Sequence, residues 1–265
     1  MPSLNAADLA RELVRPHGLW RDVRVVAETG STNSDLLADA RSGMDEGAVL
    51  VADLQTAGRG RKGRQWVSPA EAGLTFSVLL RPRGVPPASL GWVPLLAGLA
   101  AASAVRSETA VDVRLKWPND LLAGPAKLAG VLAESWEDAI VVGLGINVSQ
   151  RAEDLPGPGA TSLLLTAPAG VKPRRDRLLL AVLGDLARWY TAWRDQARPG
   201  DADACGLRAE YLRWSATVGR EVTVSLPSGQ ELAGTAVGVD QAGRLEVQAE
   251  TGPVEVSAGD VVHVR

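Results

Sequence analysis

The sequence predicts an α+β protein, in which a mixed β-sheet with packed helices precedes a small β-barrel. Up to about residue 216, apolar runs of strand length are interspersed with longer helical patterns, as in a sheet covered by helices. From residue 217 to 265, short stretches alternate apolar and polar residues between turn sequences, which is typical of a small barrel. We therefore divide the chain into a domain of residues 1–216 and a domain of residues 217–265.

The helices are predicted from capping signals and apolar spacing. Asn5 is a helix cap before "AADLARELV", and Gly43 is the stop signal for a helix that follows "STN". The stretch from Leu90 to Arg106 is apolar and rich in alanine, which predicts a buried helix. The predicted helices are 6–14, 31–43, 90–106, 174–196 and 202–214.

The strands are predicted from short apolar or alternating runs. "AIVVGLGINVS" is apolar at successive positions, so it predicts a strand buried on both faces. Pro118 disfavours helix at Trp117, so "DVRLKWPNDLL" predicts a strand that runs into a turn. Residues 151–172 are rich in Pro, Gly and Ala and predict a loop. The predicted strands are 23–30, 47–56, 73–82, 112–122, 127–136, 139–149, 221–226, 231–240, 244–250 and 260–265.

Composition excludes several classes of protein. The net charge of −3 gives no general attraction to nucleic acid or acidic membranes. One cysteine and two distant histidines argue against a disulfide framework and a histidine metal cluster. The longest uncharged apolar run, Trp92 to Val105, is shorter than the ~20 residues of a spanning helix. The N-terminal segment carries charges where a signal peptide has an apolar core. We expect a cytoplasmic protein with no membrane partner.

The most unusual segment is "GRGRKGR", residues 58–64, which we call the basic loop. Its glycines spell G-x-G-x-x-G, but no helix start follows, and no acidic residue stands ~20 positions later, so a dinucleotide-binding turn is disfavoured. Asp53 and Glu71 flank the loop, which argues against a nucleic-acid patch. The remaining alternatives are a solvated surface loop and a site for a compact polyanion. Repulsion between four cations predicts that the loop is poorly ordered until such an anion binds.

Five segments together resemble the biotin protein ligases: "GSTN", "QTAGRGRKGRQW", "KWPNDLL", "KLAGVLAE" and "GLGIN". Their order and spacing extend the resemblance from about Val25 through the C-terminal barrel. The resemblance implies a catalytic domain like that of class II aminoacyl-tRNA synthetases and an SH3-like C-terminal barrel. It also implies that the chain forms biotinyl-5'-AMP from biotin and ATP with release of pyrophosphate, and then biotinylates a lysine of a carboxyl carrier protein.

The resemblance implies a biotin site as well. Ser31, Thr32 and Asn33 match residues at the ureido ring, and Gln55 matches the pocket wall; a helix N-cap is a compatible structural role for the first three. Arg59 and Arg61 match a segment that closes over biotin and phosphate. The predicted biotin-binding residues are Ser31, Thr32, Asn33, Gln55, Arg59, Gly60, Arg61, Lys127, Gly143 and Gly145.

For the nucleotide, Trp66 matches an aromatic residue that packs on adenine, and core packing is its alternative. Asn147 matches a position at the adenine edge. The predicted ATP-binding residues are Arg61, Trp66, Lys116, Asn119, Lys127 and Asn147.

The expected catalytic residues are Lys127, Arg61, Lys116 and Asp120. Lys127 matches a lysine that reaches both the biotin carboxylate and the α-phosphate, and a compact ammonium suits a point where two anions meet. Its alternative role is a surface lysine at a strand end. Asp120 would orient Lys116 or help hold Mg²⁺, although a tight turn also favours aspartate there.

Two further expectations follow from the resemblance. A lipoate or octanoyl ligase or transferase of the same fold is the alternative function, but those families usually carry a histidine in the acyl pocket, and this chain has none between His17 and His263. Some biotin ligases are also repressors with a winged helix-turn-helix. About twenty residues precede the first predicted strand here, which is too few for that module, so we expect no DNA partner.

Overall fold

The computed structural model describes residues 4–264 and confirms the α+β class. The helices are α1 (Ala6–Leu13), α2 (Thr32–Arg41), α3 (Trp92–Thr109), α4 (Leu163–Thr166), α5 (Arg175–Arg194) and α6 (Leu207–Trp214). The strands are β1 (Asp22–Thr29), β2 (Ala48–Gln55), β3 (Gly73–Leu80), β4 (Val113–Lys116), β5 (Asp120–Ala123), β6 (Ala126–Trp136), β7 (Ala139–Asn147), β8 (Glu221–Ser225), β9 (Glu231–Val239), β10 (Leu245–Ala249), β11 (Gly252–Val256) and β12 (Asp260–His263).

The first seven strands form one mixed sheet in the order β1-β2-β3-β7-β6-β5-β4. Strands β1 and β2 are parallel, and α2 connects them, while the other neighbours pair antiparallel. The N-terminal end of α2 and the C-terminal ends of β1 and β2 therefore lie at the same edge of the sheet. That edge is where the cavity described below opens.

Both faces of this sheet are covered. Helices α3 and α5 pack together over one face, against residues such as Phe76 and Val142. Helix α2 covers the other face, where Leu36 packs near Leu79 and Val141. Because apolar residues of β7 enter both clusters, the prediction that this strand is buried on both faces is confirmed.

Helix α3 is a core helix. With the short 3-10 turn before it, the stretch Pro87–Thr109 is long and apolar enough to cross a membrane by length and composition alone. Most of the stretch is buried inside the protein, however, against α5 and the sheet. This burial accounts for its apolar, alanine-rich sequence without a lipid environment.

The second sheet is antiparallel, with the strand order β11-β10-β9-β8-β12, and it docks tightly on the first domain. The indole nitrogens of Trp92 and Trp117 donate to the carbonyls of Gln241 (3.0 Å) and Gly243 (3.1 Å) in the turn between β9 and β10. The predicted boundary at residue 216 falls between α6 and β8, and the position of that boundary stays a prediction.

Three elements were not predicted. Strand β5 turns back on β4 immediately after Pro118, so the predicted strand and turn form a hairpin. Strand β11 contains Pro253. A strand at the edge of a sheet tolerates proline, because the backbone N–H groups on its outer side have no strand to pair with. Helix α4, with four residues, is too short to show a period. The predicted last strand reached residue 265, which lies outside the described residues, and β12 ends at His263.

Candidate active site

A cavity of about 120 Å³ lies between the first sheet, the start of α2 and the basic loop. Most of the predicted site residues line it, although they come from five separate segments of the chain. Those lining residues are Ser31, Thr32, Asn33, Gln55, Arg59, Gly60, Arg61, Trp66, Asn119, Lys127, Gly143 and Gly145. Lys116, Asp120 and Asn147 lie outside the lining.

The start of α2 is joined to the sheet by hydrogen bonds at one end of the cavity. Gln55 Oε1 accepts from the backbone N–H of Thr32 (2.8 Å) and lies 3.0 Å from its hydroxyl. The hydroxyl of Ser77, on β3, donates to Asn33 Oδ1 at 2.6 Å and lies 2.6 Å from Thr32 Oγ1. Ser31 holds the N-cap position of α2 without a side-chain capping bond. The residues predicted to bind the ureido ring therefore form one polar surface that is held by hydrogen bonds. The Ser31 hydroxyl makes no capping hydrogen bond to α2.

Glu134, on β6, connects this surface to the basic loop. Its Oε2 accepts from Asn33 Nδ2 at 2.9 Å, and its Oε1 lies 2.8 Å from Arg59 Nη2. One carboxylate thus fixes the amide of Asn33 and neutralises the first arginine of the loop. The side chain of Arg59 is half exposed. Because Arg59 is near the N-terminal end of the basic loop, this ion pair holds that end of the loop and not its tip.

The floor of the cavity is made by glycines whose missing side chains leave room for other residues. A Cβ atom at Gly145 would lie 2.3 Å from the indole of Trp66, and one at Gly143 would lie 2.2 Å from Asn33 Oδ1. Trp66 therefore packs directly on the backbone of β7. The prediction that these two glycines admit a ligand stays untested, because the space beside each is filled here by a protein side chain.

Lys127 is one of the residues that line the cavity. Its backbone is held by the segment around Ala160, since its N–H donates to the carbonyl of Gly159 and its carbonyl accepts from the N–H of Thr161, each at 2.8 Å. Its ammonium lies 2.6 Å from Asp120 Oδ1 and 5.9 Å from the centroid of the Trp66 ring. The side chain is about one third exposed. An ammonium held this way faces a carboxylate, an aromatic ring and the open cavity at once.

The basic loop is folded as a tight hairpin. Arg59 and Gln65 form an antiparallel bridge, and Trp66 donates its N–H to the carbonyl of Gly58 at 2.9 Å. Lys62 and Gly63 take left-handed backbone conformations at the tip, with φ values of 55° and 72°. Ordering of the loop by a ligand stays a prediction, but the structure shows that protein carboxylates already offset the repulsion among its cations.

Arg61 points from the loop toward the turn of "KWPND". Its Nη1 donates to Asn119 Oδ1 (3.1 Å) and to the carbonyl of Gly259 (3.2 Å). Burial lowers the pKa of this guanidinium, and Arg64 adds to the effect, while Asp260 and Asp120 oppose it. An arginine keeps its charge under such a shift. The cavity therefore has a second, partly desolvated and permanent cation in its lining besides Lys127.

Asn119 holds the turn in place for this contact. It donates its side-chain N–H to the carbonyl of Val131 at 3.0 Å and accepts the N–H of Val131 on its own carbonyl at 2.8 Å. Lys116 lies across the hairpin from Asp120, but Asp120 pairs with Lys127 instead. Asn147 is buried, and its amide is used at both ends, by the carbonyl of Thr161 and by Gln150. Its role at an adenine edge stays a prediction.

The residues present do not make a metal site by themselves. Among residues 4–264, no group of three histidine, cysteine, aspartate or glutamate side chains is placed to hold a metal ion. Asp120 is a single carboxylate already paired with an ammonium. Mg²⁺ prefers six oxygen ligands and usually binds through substrate phosphates and only one or two carboxylates.

Sequence reasoning missed several residues of the site: Arg64 and Thr75 line the cavity, and Ser77, Glu134 and Asp260 bind residues of its lining. Ser77 is a fully buried hydroxyl in a strand that is apolar except for Thr75 and Ser77, which is a usable signal. Glu134 is the last residue of the "KLAGVLAE" segment. A single charged residue near the end of a strand is common, so the sequence gives no indication that Glu134 contacts the site. Asp260 lies about two hundred residues from the loop it contacts, so no local pattern could have revealed it.

Two family models match the chain. The "Biotin/lipoate A/B protein ligase family" matches residues 26–149, which contain all the predicted site residues. The "Biotin protein ligase C terminal domain" matches residues 217–264.

Similar proteins and structures agree with these matches. The chain is 44% identical to the biotin–[acetyl-CoA-carboxylase] ligase of Mycobacterium tuberculosis, over 100% of this chain and 97% of that protein. It is 32% identical to the bifunctional ligase/repressor BirA of Escherichia coli, over 86% of this chain and 70% of that protein. The structure superposes with a TM-score of 0.77 on the biotin protein ligase from Aquifex aeolicus in complex with biotin and ATP. The two sequences are 30% identical, and the superposition covers 93% of this chain and 100% of that chain. The resemblance and the predicted fold are thereby confirmed: the chain belongs to the biotin protein ligase family and is a ligase.

Proposed function

We propose that this ligase makes biotinyl-5'-AMP and then transfers the biotinyl group to a lysine of a biotin carboxyl carrier protein. In the first step, a carboxylate oxygen of biotin attacks the α-phosphorus of ATP, and the bond from that phosphorus to the pyrophosphate oxygen breaks. In the second step, the acceptor amine attacks the biotinyl carbonyl, AMP leaves, and the amine loses a proton.

The observation that carries the proposal is the position of the Lys127 ammonium. It faces the cavity between Asp120 and Trp66, and Arg61 of the basic loop lines the same cavity. The first step brings two anions together, and cations fixed beforehand stabilise that arrangement without reorganising. Lys127 would contact the biotin carboxylate and the α-phosphate, while Arg61 would contact the phosphate from the loop.

The polar surface at the start of α2 supports a site for the ureido ring. A ureido group offers one carbonyl acceptor and two N–H donors. Ser31 has a hydroxyl free of helix capping, and Thr32, Asn33 and Gln55 are fixed by one another and by Ser77. We propose that these residues bind the ring, with Arg59, Gly60, Gly143 and Gly145 closing the pocket around the rest of biotin.

The exposed side of the cavity suits a nucleotide. Trp66 has a large flat face beside the Lys127 ammonium, and its indole nitrogen is buried without a hydrogen-bond partner among the described residues. We propose that Trp66 packs on adenine and that Arg61, Asn119 and Lys127 hold the phosphates. Lys116 and Asn147, which lie outside the lining, have a weaker structural basis as nucleotide ligands.

We treat Mg²⁺ as part of the MgATP substrate. Asp120 is the carboxylate beside Lys127, and its ion pair with that ammonium indicates a second role, which is to hold the ammonium.

The remaining expectations are proposals as well. The name of the Mycobacterium tuberculosis relative supports the carrier domain of a carboxylase as the acceptor. We keep the cytoplasmic location and the absence of DNA and membrane partners as parts of the proposal. No described residue of the site is marked as a dedicated base for the second step, and AMP is a good leaving group. Positioning of the acceptor amine is therefore the proposed contribution of the protein.

The deciding experiment measures pyrophosphate release from MgATP with no acceptor present. Biotin and octanoate are supplied in separate reactions. We expect release with biotin and only background release with octanoate. Release with octanoate would favour the lipoate or octanoyl alternative. Background release with both acids would contradict the activation step. A second assay with a carrier domain then follows biotin incorporation by mass spectrometry.

A further inference from the structure

One carboxylate of the C-terminal sheet faces three cations of the basic loop. Asp260 Oδ1 accepts from Arg64 Nη2 at 3.0 Å and lies 3.9 Å from Arg61 Nη1, and Asp260 Oδ2 lies 3.3 Å from Lys62 Nζ. The neighbouring carbonyl of Gly259 accepts a hydrogen bond from Arg61. Every cation at the tip of the loop is therefore in contact with this two-residue segment.

The segment itself is firmly placed. Asp260 is the first residue of β12 and pairs with Ser225 of β8, so its backbone belongs to the sheet. Gly259 packs so closely that a Cβ atom there would lie 2.7 Å from Val224. The C-terminal sheet in turn is anchored on the first domain through Trp92 and Trp117. Through Asp260, the basic loop is therefore connected to the C-terminal sheet, and this sheet is anchored on the domain that contains Lys127.

The contact lies on the outer side of the loop. Arg61 and Arg64 line the cavity, whereas Lys62 and Asp260 do not. Asp260 therefore leaves the cavity open for an incoming anion, and it contacts the cations of the loop from outside the cavity. Burial raises the pKa of Asp260, but the three cations outweigh it and the net shift is downward, so the carboxylate is charged at neutral pH.

We propose that Asp260 is a positioning residue for adenylate formation. It gathers the cations of the basic loop before ATP arrives and holds Arg61 toward Lys127 and Asn119. Without it, four cations within six residues repel one another and the glycines leave the loop free to open. ATP would then have to order the loop itself, which weakens its binding. The C-terminal sheet thereby becomes part of the phosphate site although it does not line the cavity.

This inference rests on the proposed function for its effect on ATP, but the order of the loop can be measured without activity. The test compares wild type, Asp260→Asn, Asp260→Glu and the control Glu255→Gln. The control also removes one carboxylate from the same sheet and breaks an ion pair, between Glu255 and Arg244, far from the loop. Limited trypsin digestion without ligands, read by mass spectrometry, reports cleavage after Arg59, Arg61, Lys62 and Arg64.

We expect faster cleavage in the loop of Asp260→Asn, with wild-type rates for Glu255→Gln and partial restoration in Asp260→Glu. In pyrophosphate release, the KM for ATP of Asp260→Asn should rise about fivefold with a smaller change in kcat, as the loss of a group of partly exposed ion pairs predicts. Equal cleavage of wild type and Asp260→Asn, or equal effects of Asp260→Asn and Glu255→Gln, would overturn the proposal. If wild type itself releases no pyrophosphate with biotin, the proposed function fails, and the cleavage rates still decide whether Asp260 orders the loop.

Discussion

The ammonium of Lys127 lies 2.6 Å from a carboxylate oxygen of Asp120, across the hairpin formed by β5 and β6. Asp120 is about one fifth exposed and Lys127 about one third exposed, so the pair is partly shielded from water. The pair sets the direction of the ammonium at the cavity wall. Substitution of Lys127 and substitution of Asp120 should therefore have different effects on adenylate formation.

Replacing Lys127 by alanine should abolish adenylate formation, with a loss of at least about a hundredfold, because the cation shared by the two reacting anions is removed. The measurement is biotin-dependent pyrophosphate release. Lys172→Ala is the matched control, since it removes another of the four lysines from outside the cavity lining. Retained release in Lys127→Ala, with a folded protein, would remove Lys127 from the mechanism.

Asp120→Asn should lower kcat for adenylate formation by about tenfold, because the ion pair that orients Lys127 is lost. If Asp120 acts through Lys127, the Mg²⁺ concentration that gives half-maximal rate stays as in wild type. If Asp120 holds Mg²⁺, that concentration rises. A titration of Mg²⁺ at saturating ATP distinguishes the two roles. If both kcat and the half-maximal Mg²⁺ concentration are unchanged, both roles are contradicted.

Trp66→Ala should raise the KM for ATP by about tenfold or more, as expected from the loss of one base–aromatic contact. Trp66→Phe keeps a flat ring and should recover most of that loss. The KM for biotin serves as the internal reference. If Trp66 is only a packing residue on Gly145, both variants lower the melting temperature and leave the ratio of the two KM values unchanged.

His263 should make stability depend on pH. Burial, with repulsion from Lys116 and Arg220, lowers the pKa of His263 below its ordinary value of 6.5. The folded state therefore takes up this proton less readily than the unfolded chain. The stabilisation is fully present above the ordinary pKa and is lost as the pH falls through it toward the lowered value.

The check is the melting temperature at about pH 7.5 and about pH 5.5 for wild type and His263→Gln. We expect a larger drop on acidification in wild type than in the variant. Glutamine retains a polar group near the hydroxyl of Thr217, which lies 3.2 Å from Nε2 of the histidine. Equal drops in the two proteins would show that other groups carry the acid sensitivity.

Local signals in the sequence were sufficient for most of the fold. Asn5 caps α1 by accepting from Ala7 and Asp8, and the apolar run of β7 is buried on both faces, because each feature depends on neighbours in the chain. Strand β11 was missed, because a proline in the run hides a strand that only its edge position permits.

The candidate site was predictable to the extent that it lies in contiguous segments. The five segments brought Lys127, Arg61 and Gln55 to one cavity, as expected of residues that recur in a fixed order. What could not be predicted were pairings between segments. The sequence predicts that Asp120 orients Lys116 or helps hold Mg²⁺, whereas in the structure Asp120 pairs with Lys127. The carboxylates that balance the basic loop, Glu134 and Asp260, come from two other strands.

The two indole N–H groups that donate to the turn between β9 and β10 have a consequence for how the chain unfolds. If the C-terminal sheet separated first, Trp92 and Trp117, both almost fully buried, would be exposed with their donors unmatched. The sheets also share one continuous apolar cluster. The chain should therefore melt in a single cooperative transition, and a fragment ending at residue 216 would be an aggregation-prone truncation rather than an autonomous catalytic unit.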